Sequence, residues 1–152
     1  MRALFLAAGM LALLVTAAGS ARADYEDEIG LQIKEVWPSA QKALKPFSGR
    51  VNEKKKTITT PWQQDQIVRR NKLLQKVTSR VYLRRYRLKI ELTENYYFTK
   101  VKVSGTYQTK SVDATPAMAW TTMKSGTDEY ILERSYFMKI LNQLENDRLA
   151  KA

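Results

Sequence analysis

The stretch from Val77 to Thr93 constrains the fold more than any other part of the chain, because its side chains alternate in character. Tyr82, Tyr86, Leu88, Ile90 and Leu92 fall on one side, while Val81, Leu83, Arg85, Arg87 and Lys89 fall on the other. A period of two with one apolar side is the pattern of a strand half-buried in a sheet. Glu94-Asn95 predicts a turn into a second strand, Phe98 to Thr109, in which Val101 and Val103 alternate with Lys100, Lys102 and Ser104. Two such runs joined closely predict an antiparallel hairpin with one buried face.

Helical periodicity appears at both ends of the remaining sequence. Ile131, Leu132, Tyr136, Met138, Leu141, Leu144 and Leu149 recur at helical spacing, predicting an amphipathic helix from about Thr127 to Ala150. Ser125-Gly-Thr-Asp128 has the spacing of a capping box in its acidic form. Nearer the start, Ile29, Ile33, Trp37, Ala40 and Leu44 lie on one helical face. Pro38 interrupts that series, since an interior proline removes a backbone donor. A helix from Trp37 to Lys45 is therefore expected, with Pro38 in its first turn, and residues 24–36 carry no assignment. Between these regions Thr57-Ile58-Thr59-Thr60 predicts a strand, reached from Arg50-Val51 through a polar turn at Glu53-Lys54-Lys55-Lys56. Gln63 to Gln75 reads as a mobile loop or a short helix, and a short strand is expected around Ala119 to Met123. The sum is an α+β fold: a single domain with a twisted antiparallel sheet, packed by an N-terminal helix and a long C-terminal helix.

The first residues speak to location. Arg2 precedes an almost unbroken apolar run, Ala3 to Ala18, and Ala21-Arg22-Ala23 places small residues at the −3 and −1 positions of a leader-peptidase site. This predicts a signal peptide over residues 1–23, cleavage after Ala23, and a periplasmic domain over residues 24–152. Removal of the leader from the 152-residue chain leaves 129 residues, enough to bury a core without disulfides or metal. Arg2 and Arg22 leave with it, so 24 of the 26 basic residues remain against 15 acidic ones, a formal charge of +9. Such a chain favours anionic partners: an anionic envelope component, or an acidic protein surface, with peripheral membrane contact. Export argues against nucleic acid as that partner.

The chain has no cysteine and no histidine. It therefore lacks the usual nitrogen and sulfur metal ligands and the Ser-His-Asp or Cys-His nucleophilic machinery. No cofactor is expected. An enzyme of this composition would need a Ser-Lys, Tyr or carboxylate mechanism, and no motif marks one. The cluster Asp24, Glu26, Asp27 and Glu28 lacks the spacing of a calcium loop and is expected to complement a helix dipole instead.

Val36-Trp37-Pro38 with Ala43-Leu44, followed by Val51 and then Lys56-Thr57-Ile58-Thr59-Thr60-Pro61-Trp62, resembles small envelope modules related to the C component of the barrel-assembly machinery. The matching positions cover roughly a quarter of the chain after the leader. The resemblance implies a helix-grip-like α+β fold and a non-catalytic role in outer-membrane assembly. Family members are typically lipoproteins, whereas this chain lacks the anchoring cysteine.

Three groups of residues are candidate sites. Arg85, Arg87, Lys89, Lys100 and Lys102 would share the outward face of the hairpin, either as a docking surface for phosphate or carboxylate groups or as an ordinary solvated face. Among the strand aromatics, Tyr96, Tyr97 and Phe98 are adjacent, so alternation cannot bury all three and at least one should be exposed or at an interface. Trp62 and Trp120 would flank a groove between helix and sheet, or plug the ends of the core. The leading expectation is a non-enzymatic exported binding or scaffold module of the cell envelope. The alternative is a periplasmic carrier or sensor of an anionic or amphiphilic ligand such as lipid or lipopolysaccharide.

Overall fold

The computed structural model describes residues 24–73, 76–113 and 118–152, and the expected leader lies outside them. Among the described residues seven antiparallel strands form one sheet: β1 (Tyr25–Ile29), β2 (Arg50–Asn52), β3 (Thr57–Thr59), β4 (Gln63–Leu73), β5 (Lys76–Asn95), β6 (Phe98–Ser111) and β7 (Thr121–Met123). The lateral order is β1-β6-β5-β3-β2, with β4 running beside β5 beyond β3 and β7 beside β6 beyond β1. Two helices, α1 (Ile33–Leu44) and α2 (Thr127–Lys151), pack on one another and on the same side of the sheet. The α+β architecture read from the sequence is the one observed.

The core lies between that sheet face and the helices. Tyr86, Leu88, Ile90 and Leu92 of β5 and Val101, Val103 and Tyr107 of β6 are buried beneath Trp37, Ala40 and Leu44 of α1 and Tyr136, Phe137, Ile140 and Leu144 of α2. Alternation thus places the odd-numbered β5 residues from Arg85 to Glu91 on the opposite, uncovered side.

Several local expectations change. Residues 25–29 form the edge strand β1 rather than a helical turn, with Glu26 and Glu28 opposite Lys102 and Lys100 on β6. Asp24 and Glu26 therefore pair with Lys102 and Lys100 of β6 instead of meeting a helix dipole, while Asp27 accepts from the Tyr25 hydroxyl. Helix α1 starts at Ile33, four residues earlier than expected, and keeps Pro38 inside it. Pro38 is exposed, and burial of Val36, Trp37, Ala40 and Leu44 on the opposite side offsets its missing hydrogen bond.

Gln63 to Leu73 is neither loop nor helix but the eleven-residue strand β4, paired along its length with β5. The turn between β5 and β6 falls at Tyr96-Tyr97, two residues beyond the expected Glu94-Asn95. At the start of α2, the Gly126 N–H donates to the Glu129 carboxylate at 2.9 Å, so the capping contact is made by Glu129 and not by Ser125 or Asp128. The buried face of α2 is also rotated. Ile131, Met138 and Leu149 are exposed, and Glu129, Glu133, Phe137 and Ile140 are inside.

Candidate functional site

The uncovered sheet face is built by strands whose apolar residues point the other way. Its two halves differ in charge balance. Toward β1, the cations find carboxylates: Lys100 pairs with Glu26 at 3.0 Å, Lys102 with Asp24 at 3.5 Å, and Lys89 with Glu91 at 2.7 Å. These three lysines, expected as part of an anion surface, are compensated within the molecule.

Toward β4 the arrangement is aromatic. The Arg85 guanidinium lies 4.8 Å from the Trp62 ring centre and 4.7 Å from that of Trp120. Arg87 lies 5.0 Å from Trp62, and the Lys110 ammonium 4.8 Å from Trp120. Two tryptophans and three cations thus form one ladder across β5 and β6, with attraction between ring faces and cations offsetting repulsion among the cations. Arg85 is further fixed by donating to Gln108 at 2.6 Å. Trp62 and Trp120 were expected beside a groove under the helices or at the ends of the core. They stand on the opposite face, because both find an arginine there to cover their rings.

Small residues beside this ladder open a concavity of about 830 Å³, walled by Trp62, Arg87, Lys89 and Arg50 and floored by Thr59 and Thr106. A second, of about 810 Å³, lies between Ile29 to Leu31 and the last turns of α2.

Beyond Val81, β5 pairs with β4 and not with β6. The far part of the β4–β5 hairpin is therefore a two-stranded arm that extends past the helix-covered sheet. From Gln66 to Ile90 the chain has nine lysines and arginines and no aspartate or glutamate. Two of the nine have carboxylate partners among the described residues: Arg84, inside the molecule, and Lys89. The arm was not legible as a site, since its polar sequence reads as loop; the signal that finds it is the acid-free cationic run.

At the other end of the sheet, the β5–β6 turn presents Tyr96 and Tyr97, 89% and 85% exposed, while Phe98 is half-buried. They lie at the opposite end of β5 from the arm, with Tyr96 20 residues from Lys76, so the pair of tyrosines stands apart from the basic surface.

The buried ionisable groups belong to the joint between α2 and the sheet. Arg84 forks onto Asp65 at 2.9 and 2.5 Å and reaches Glu129 at 3.4 Å. Burial alone would lower its pKa, but the two carboxylates outweigh burial and raise it. Glu133 accepts from the Tyr107 hydroxyl at 2.8 Å and from the Tyr25 N–H at 2.9 Å. Its pKa is raised because burial disfavours the charged carboxylate more than these two donors favour it. Burial likewise pushes the Tyr107 phenol upward and that of Tyr86 to about 12. Each of these side chains holds another in place. Among the described residues no three acidic groups converge as a metal-holding cluster.

No family model and no curated protein matches the chain. Among solved structures it is similar to a TBP-like protein from Parabacteroides distasonis, with 15% identity, a TM-score of 0.44, and coverage of 80% of this chain and 92% of that one. It is also similar to a DUF4468 family protein from Bacteroides ovatus, with 13% identity, a TM-score of 0.49, and coverage of 83% and 91% respectively. At these identities no binding property passes from those proteins to this one.

Proposed function

We propose that this chain is a non-enzymatic, exported binding module of the cell envelope that docks an anionic partner through the β4–β5 arm and the adjoining outer face. The observation that carries this reading is the segregation of charge. Lysines near β1 are answered by acids, whereas Arg70, Arg85 and Arg87 on the outer side of β4 and β5, and Arg69 and Arg80 on the other side of the arm, have no carboxylate partner among the described residues. Like charges opposed across a ribbon repel, as Arg69 and Arg80 do here, and an anion laid across them removes that cost. Stacking leaves the remaining guanidinium donors of Arg85, beyond the one given to Gln108, at the surface while little further freedom is lost on binding, which suits phosphate or carboxylate recognition. A role in outer-membrane assembly is the specific version suggested by the resemblance of the Trp37 and Thr57-to-Trp62 segments. The sheet's inner face is occupied by side chains from both helices, which favours a surface binder over a carrier.

The test is binding of the purified chain to soluble polyphosphate over a range of salt. Replacement of Arg69, Arg70, Lys76 and Arg80 by glutamine should lower affinity at least about tenfold at low salt and flatten the salt dependence. Folding should stay near that of the parent chain. Binding unchanged by the four replacements would reject the arm as the docking element.

A further inference from the structure

The charge of the arm says that its partner is anionic; its apolar residues say what kind of anion. Val68 and Val81 face one another across β4 and β5, and the Val112 N–H reaches the Val81 carbonyl at 3.5 Å on the other side. Val68 and Val81 share one rung on the outer face, Val112 follows the last residue of β6 beside Val81, and Val77 lies four residues further along β5 toward the tip of the arm. They are 60%, 42%, 42% and 61% exposed in that order. Valine on an open ribbon is not explained by the core, which these four do not join.

Their surroundings are specific. Lys110 and Arg85 lie below the row on β6 and β5, and Arg70 lies above it on β4. Next come Trp62 and Trp120, stacked on Arg85. An aliphatic strip with cations on both flanks and tryptophans at its lower border is the composition of a surface that lies in a bilayer interface. A soluble polyanion would use the cations and leave the valines in water. Lipid uses both, because phosphate headgroups meet arginine and lysine while the aliphatic strip leaves water.

We infer that the outer face of the β4–β5 arm, from Val77 to Trp62, is a docking surface for an anionic phospholipid bilayer. This rests on the anion-docking reading above and names its partner. The arm lies flat on the headgroups, with Val68, Val81 and Val112 toward the acyl boundary, Trp62 and Trp120 at headgroup level, Arg70, Arg85 and Lys110 meeting phosphates, and Arg69 and Arg80 on the side away from the bilayer. Both helices then face away from the membrane. Tyr96 and Tyr97, at the far end of β5, take no part.

The experiment uses the chain without residues 1–23, with vesicles of phosphatidylcholine alone or mixed equally with phosphatidylglycerol, and soluble polyphosphate as a separate ligand. The mixed vesicles should bind and the neutral ones should not. Combined Val68→Ser, Val81→Ser and Val112→Ser should weaken vesicle binding roughly tenfold or more, since apolar burial is lost, and leave polyphosphate binding unchanged. Brominated lipid should quench Trp62 and Trp120 but not the buried Trp37, a pattern read from single Trp→Phe variants. Tyr96→Ser with Tyr97→Ser should bind as the parent does. Vesicle binding unaffected by the serine replacements, or absence of Trp62 and Trp120 quenching, overturns the orientation. Polyphosphate binding without vesicle binding overturns the lipid partner and leaves anion docking standing. Failure of both ligands overturns both.

Discussion

Gly105 shows how one residue sets the inner surface of the sheet. It sits on β6 opposite Leu88, and the ring of Tyr107 lies over it. A Cβ added there would stand 2.3 Å from the ring's Cζ and hydroxyl, closer than side chains can approach. Gly105→Ala should therefore displace the Tyr107 ring and strain its 2.8 Å hydrogen bond to Glu133. Overpacking of this kind costs about 1–3 kcal/mol, to be read as a lower urea midpoint at unchanged slope. An unshifted midpoint would mean that the ring moves aside freely. The sequence shows a glycine in a strand and an aromatic two positions on, but not that one covers the other. Glu133 was less legible still. A charged residue in an amphipathic helix reads as solvent-facing, and only the joint of Tyr25, Tyr107 and α2 turns it inward.

Among the elements, the hairpin of β5 and β6 was readable because its two sides differ in chemistry over a long run. Arg84 sits in the buried series with Tyr86 and Leu88, since Asp65 and Glu129 meet its charge inside. Helix α2 was readable as a helix, but its rotation was not. Hydrophobic residues surround it, so periodicity alone selected Ile131, Met138 and Leu149, which face water, together with Tyr136 and Leu144, which are buried. Packing selects the face holding Tyr136, Phe137, Ile140 and Leu144, with Leu141 half-buried at its margin. Ile140→Ala should cost about 2–5 kcal/mol, whereas Ile131→Ala should cost about 0.5 kcal/mol or less. Equal effects in thermal or urea unfolding would place the helix in another rotation. Strand β4 escaped detection for the converse reason. Beyond the covered sheet both sides of the arm meet solvent, so nothing in its sequence has to alternate.

At the scale of the whole molecule, β1 was hidden because its partner is β6, seventy or more residues away in sequence, and edge pairing leaves no local pattern. The same non-local register divides the basic surface into a compensated and an uncompensated half. Long-range contacts also set how stability depends on pH, through two carboxylates shifted in opposite directions. Asp147 on α2 accepts from Ser39 at 2.7 Å, Lys42 at 3.0 Å and Gln143 at 2.8 Å, tying the two helices together. These donors, Ser39 first, hold its pKa at about 2, below the ordinary 3.8. The folded state then binds fewer protons than the unfolded chain between those values, so this contribution is present above pH 3.8 and is lost as the pH falls toward 2. Glu133 acts in the opposite sense. Its folded pKa lies above the ordinary 4.5, so the folded state binds more protons and stability falls as the pH rises past 4.5. Together the pair places its most favourable range between the two limbs. Asp147→Asn should be less stable than the parent at pH 5, with the gap closing toward pH 2. Glu133→Gln should match the parent most closely in acid and gain on it as the pH rises above 4.5, because the amide can still accept from Tyr25 and bond to Tyr107. Urea midpoints of the parent and both variants across this range check the two limbs separately. If the Glu133→Gln gap stays flat with pH, the carboxyl is not proton-linked to folding, and the joint between α2 and the sheet carries its charge without cost.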